Sequence, residues 1–173
     1  MIGNVFKSCQ FYGYAVIQVL IEPRRFFTEL PENATMAKSL GFCVICSLFY
    51  TAASLLTGSY PSPFKMGGVF FLNSVSMVFI PAGLSYLIMV MIQGKKSRFA
   101  LVFSVCAFSS GMTLLVSWMS LFLWFTEPWK WWLIYTGIKN TCKIPWKPAL
   151  MILTLTIIIE FFFLYSLYLA FYK

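Results

Sequence analysis

Glu160 interrupts the run Ile157-Ile158-Ile159-Glu160-Phe161-Phe162-Phe163. In a hydrocarbon surrounding, an acidic side chain at mid-depth costs about 2.5–3.5 kcal/mol on insertion scales unless it is protonated, hydrated or paired. A residue retained there serves a proton, ion or lipid-headgroup pathway, or a buried contact with a partner subunit. The plainer role is a glutamic acid hydrogen-bonded across helices, for which Asn73, Ser74 and Ser76 are the candidate partners. Glu127 and Lys130, three residues apart, form a helical ion pair and suit a structural place near a membrane interface. Cys43 and Cys46 make a C-x-x-C inside an apolar run, but the chain has no second such pair and no histidine, so a zinc site lacks its remaining ligands. Five cysteines, odd in number and scattered, do not make a disulfide framework.

Enzyme chemistry needs groups that exchange protons, attack or hold metals. The sequence has neither histidine nor aspartate, only Glu22, Glu29, Glu32, Glu127 and Glu160 as acids, and no glycine-rich phosphate cradle. The expectation is therefore a chain that is not an enzyme and carries no cofactor and no metal. Asn33-Ala34-Thr35 matches a glycosylation acceptor, but its expected cytoplasmic place argues against occupancy. Ser109, Ser110, Gly111 and Ser117 are small residues suited to close helix packing.

Elements able to place Glu160 in oil are easy to find. Of 173 residues, 60% are hydrophobic, 20% aromatic and 10% charged, against roughly 45–50% apolar and 25% charged in soluble domains. A chain this short and apolar cannot hide its surplus in one aqueous core. The net charge of +8 sits in short clusters between apolar runs, which suits lipid headgroups and excludes nucleic acid as a partner.

The expected fold class is all-α: a polytopic membrane protein of about five transmembrane helices, preceded by a short interfacial amphipathic segment. Residues 1–38 form that cytoplasmic or interfacial segment. Its apolar stretch 11–21 is too short to cross a core that takes about 20 residues, and Arg24, Arg25, Phe26 and Phe27 after Pro23 suit contact with the membrane surface or a partner. Residues 39–173 form the transmembrane domain, with spans of about 39–57, 67–92, 99–117, 121–138 and 148–172. Gly58, Pro61 and Pro63 end the first span, and Pro81 is expected to kink the second. A single helix over 99–138 would be about 60 Å long, so it must fold back. A turn near 118–121 leaves two adequate spans; the competing turn at Glu127-Pro128 leaves about ten residues for the next crossing.

Ten of the thirteen basic residues fall on one side of such a five-span chain: Lys7, Arg24, Arg25 and Lys38, then Lys95, Lys96 and Arg98, then Lys139, Lys143 and Lys147. The positive-inside rule puts that side, with the N-terminus, in the cytoplasm and the C-terminus opposite. Trp129, Trp131, Trp132 and Trp146 lie near span ends as interfacial anchors.

The segment Ile21-Glu22-Pro23-Arg24-Arg25-Phe26-Phe27-Thr28-Glu29-Leu30-Pro31, followed by an apolar span, resembles the opening of Yip-domain (Ypt-interacting) proteins, the bacterial members above all. Gly94-Lys95-Lys96-Ser97-Arg98-Phe99 is similar to that family's entry to its third helix, and Phe108-Ser109-Ser110-Gly111 to its kink. Trp131-Trp132-Leu133-Ile134-Tyr135-Thr136-Gly137-Ile138-Lys139 resembles the end of its fourth helix, with Pro148-Ala149 opening the fifth. The chain departs from many bacterial relatives at Met119-Ser120, where they have proline, and at Asn140-Thr141-Cys142, where they have histidine. The resemblance implies five transmembrane helices with a cytoplasmic N-terminus, in the bacterial inner membrane. The expected function is that of an adaptor or accessory subunit of a larger membrane complex, with lipids and other membrane-protein subunits as partners. The alternative is a small transporter or lipid-handling protein, with Glu160 and the kink at Pro81 lining a polar route; Asn73 is the other intramembrane polar candidate.

Overall fold

The computed structural model describes residues 2–33, 35–94, 98–119 and 122–171; Lys95, Lys96, Lys173 and the Ser120-Leu121 part of the expected turn lie outside them. Among the described residues the chain is all-helical, with seven helices: α1 (Ile2–Ile21), α2 (Pro23–Asn33), α3 (Met36–Thr57), α4 (Pro63–Gln93), α5 (Phe99–Leu114), α6 (Leu123–Thr141) and α7 (Trp146–Phe171).

Proline and glycine set most of the boundaries. Pro23 has no N–H to give Val19, and its ring would crowd that carbonyl, so α1 stops and Pro23 opens α2 at a position proline favours. The Gly58-to-Pro63 cluster separates α3 from α4. Gly94, in the left-handed region at φ 59°, ends α4 by donating its N–H to the Val90 carbonyl at 3.0 Å. Between α6 and α7 the same conformation falls on Lys143, at φ 51°. Glu127 and Pro128 lie inside α6, and the chain turns before Leu123. Pro81 sits buried within α4, which runs uninterrupted through it.

Among the described residues, three helices are long and apolar enough to cross a membrane: α3, α4 and the stretch Trp146–Ser166 of α7. At 31 residues, α4 is roughly 46 Å long and fits a core of about 30 Å by tilting. The shorter α5 is apolar but has only 16 residues, and α6 carries Glu127, Lys130 and Lys139.

The core forms around α5, which packs against α1, α3, α4 and α6. Every residue from 102 to 114 is buried. Small residues allow that enclosure: a Cβ at Gly111 would stand 2.6 Å from the Phe42 ring and 3.3 Å from the Cys46 Sγ of α3. Phe108 gathers Phe11, Phe26 and Phe42 around it, with ring centroids 4.7–6.3 Å away. Such aromatic pairs add about 0.5–1.5 kcal/mol beyond the area they bury.

The segment expected to lie at the interface packs one face on the bundle. Ala15 and Val19 of α1, and Phe26, Phe27 and Leu30 of α2, are core residues. Thr141 of α6 donates its hydroxyl to the Phe27 carbonyl at 2.7 Å, which fastens α2 to the end of α6. Apolar side chains alternate with charged ones so that one stripe of α2 seats on protein and the other stays out.

Candidate functional site

Polar side chains line the inside of this apolar bundle. Ser39 of α3 and Ser104 of α5 are bonded at 2.7 Å, and Ser85 of α4 and Thr156 of α7 at 3.2 Å. One helical turn past Thr156, on the same face, stands Glu160. It is 6% exposed, while Phe161, Phe162 and Phe163 beside it are open. Its Oε2 has no hydrogen-bond partner. The bonds expected from Asn73, Ser74 or Ser76 do not form; Ser74 gives its hydroxyl to the Phe71 carbonyl at 2.9 Å.

Lys130 is the residue that sequence reasoning undervalued. Its ammonium pairs with Glu127 at 2.6 Å, but the two ends differ: the lysine side chain is 7% exposed and the glutamate 52%. The ring of Trp131 lies 4.9 Å from the ammonium. Expected as a structural surface pair, Glu127 and Lys130 form a half-buried one, because α6 directs Lys130 inward to a polar hollow. That hollow is a cavity of about 90 Å³, lined by Tyr50 of α3, Asn73 and Ser74 of α4, Ser110 and Thr113 of α5, and the Glu127–Lys130 pair of α6. The Ser110 hydroxyl is buried there without a hydrogen-bond partner. The sequence signal was present: Glu127 and Lys130 are the only charges in the long apolar stretch 99–138.

Asn73 thus belongs to the cavity and not to a direct contact with Glu160. Arg24, Arg25, Phe26 and Phe27 share one helix but divide between its two faces. The two phenylalanines are buried in the bundle and meet protein rather than lipid or a partner. Arg24 and Arg25 are exposed, and Arg25 bridges Glu29 at 2.9 Å and Glu22 at 3.4 Å. Its hydrogen bond to Glu29 holds the guanidinium above its ordinary value.

Cys43 and Cys46 are free thiols, buried on the α5-facing side of α3. Among the described residues, no group of three or more potential ligands could hold a metal. An ammonium, a carboxylate and hydroxyls around a small hollow can hold water or an oxyanion.

No curated protein and no solved structure matches the chain. The sequence model of the Yip1 domain matches residues 17–168, which takes in the end of α1 and almost all that follows, Lys130 and Glu160 included. The chain belongs to the Yip1 domain family.

Proposed function

We propose that this chain, a member of a family of membrane proteins generally linked to trafficking, works by association, as a non-catalytic adaptor or accessory subunit of a larger membrane complex. The observation that carries this reading is the division of side chains on α7. Its carboxylate turns into the bundle, while Phe161, Phe162, Phe163, Tyr165 and Tyr168 turn outward, giving an aromatic surface that suits neighbouring helices as well as lipid. A photo-crosslinking amino acid at position 162 should give a discrete protein adduct in native membranes. Adducts with lipid alone would sink the proposal.

The orientation follows from the positive-inside rule. Lys38, Arg98, Lys139, Lys143 and Lys147 lie where α3, α5 and α7 begin and α6 ends, and successive helices reverse direction. We assign that end to the cytoplasm of a bacterial inner membrane, together with α2 on the Thr141 end of α6. Arg24 and Arg25 then face the inner leaflet, while Phe26 and Phe27 hold the helix in place.

A second reading, a small transporter or lipid-handling protein, is favoured by one observation: the buried Glu160 oxygen without a hydrogen-bond partner. Glu160→Gln should abolish pH-dependent flux in reconstituted vesicles if the carboxyl conducts. Flux unchanged by the substitution would dismiss that reading.

A further inference from the structure

Two cavities flank the seam between α5 and α6. The polar one, described above, holds Lys130 and the unbonded Ser110 hydroxyl. The other, about 310 Å³, is walled by Val16 and Leu20 of α1, Met112 and Val116 near the end of α5, and Phe125 and Trp129 of α6. Thr113 lines both. The successive α6 residues Trp129 and Lys130 face the apolar and the polar side respectively.

The polar cavity has donors to spare at Ser110 and Lys130. A buried hydroxyl without a partner is costly, and the Lys130 ammonium has three protons for one carboxylate that reaches in from the rim. Ser110 and Lys130 therefore offer two donors to an oxyanion. The neighbouring cavity is almost wholly apolar and near the lower size limit of ligand pockets. Lys130 is seven residues into α6, about 10 Å from its start, a depth a headgroup at the interface reaches. An oxyanion joined to a hydrocarbon chain describes a phospholipid.

The charges select the headgroup. Their sum at the rim is zero, with the cation deep and the carboxylate half exposed. A phosphate seated on Lys130 would leave Glu127 in want of a donor, which a primary ammonium supplies. A purely anionic headgroup would meet Glu127 as a like charge, and a quaternary amine has no proton to give. We propose that the α5–α6 seam binds one phospholipid with a primary-amine headgroup: phosphate on Lys130 and Ser110, amine on Glu127, one acyl chain in the apolar cavity. This stands apart from the adaptor reading and does not depend on it.

The full chain, purified in mild detergent and washed free of lipid, is offered dioleoyl phosphatidylethanolamine, phosphatidylcholine or phosphatidylglycerol and followed by native mass spectrometry. One phosphatidylethanolamine per chain should be retained, at least about tenfold more tightly than the other two. Lys130→Met should lose that retention, and so should Val16→Trp, which fills the apolar cavity from α1 without touching the polar one. Glu127→Gln leaves a side-chain oxygen at the half-exposed end of the pair for Lys130 to donate to, so it tests the headgroup preference even if Lys130→Met fails to fold. It should erase the preference for the primary amine over choline. Equal retention of all three lipids, unchanged retention in Val16→Trp, or a preference that survives Glu127→Gln would each overturn the assignment.

Discussion

Phe27 and Glu160 show how far a side chain's position departs from what its type suggests. Phe27 is fully buried against Val105 and Gly137, so Phe27→Ala should cost about 3–5 kcal/mol, read as a lower melting midpoint in detergent. Arg25→Ala, by contrast, should leave that midpoint unchanged and weaken binding of α2 to anionic vesicles. This pair of results separates the inward and outward faces of one short segment. Cys142 caps the end of α6, beyond the span, and burial pushes its thiol up to about 11. The thiolate is the reactive form, so deprotonation lies above neutrality. Maleimide labelling at Cys142 should be slow at pH 7 and accelerate about tenfold per pH unit toward 11; fast labelling at neutral pH would contradict the half-buried placement. Sequence alone located Glu160 because a charge in a run of isoleucine and phenylalanine is conspicuous. It did not locate the Glu160 environment, since the α4 residues that pattern reasoning supplied as partners make no bond to it, and Ser74 bonds its own helix instead.

At the level of elements, close approach rather than apolar content decides which helices touch. Gly137 of α6 lies where Val105 of α5 and Phe27 of α2 converge. Gly137→Ala should overpack that junction and cost about 1–3 kcal/mol, checked by thermal melting. Lys143 holds a left-handed backbone that glycine adopts without penalty, in the turn where Ile144 donates to the Lys139 carbonyl at 3.1 Å. Lys143→Gly should therefore raise stability by about 1 kcal/mol; a loss would mean the lysine side chain has a role the backbone does not reveal. The helices themselves were legible, because glycine, proline and long apolar runs are local signals. The packing of α1 and α2 was not. An amphipathic segment has the same pattern whether its apolar stripe seats on lipid or on protein, and Phe26 and Phe27 took the second course.

For the whole molecule, α1, α3, α4 and α6 pack around α5, and α7 is the least covered of the three long apolar helices. Amide hydrogen exchange should be slowest in residues 102–114 and fastest toward the end of α7, after Phe161; uniform exchange would deny that α5 is the centre. Labelling of cysteines introduced near Lys147 and near Tyr168 should come from opposite sides of sealed vesicles, and access from one side to both would refute the orientation. Composition established that oil surrounds the chain, since 60% hydrophobic residues have no aqueous home. It could not establish which helices meet that oil, because α5 and α7 are both apolar and only the assembled bundle distinguishes them.

The enclosure of α5 has an evolutionary corollary. A helix walled in by its own siblings is judged by volume, whereas one bathed in acyl chains is judged by polarity. Between residues 102 and 114, a swap such as Ser109→Ala should pass unnoticed and Ser109→Leu should be ruinous. Along Phe161, Phe162 and Phe163 the order reverses, with leucine welcome and serine a burden. Two stretches that look equally greasy on paper are thus free to drift under opposite rules.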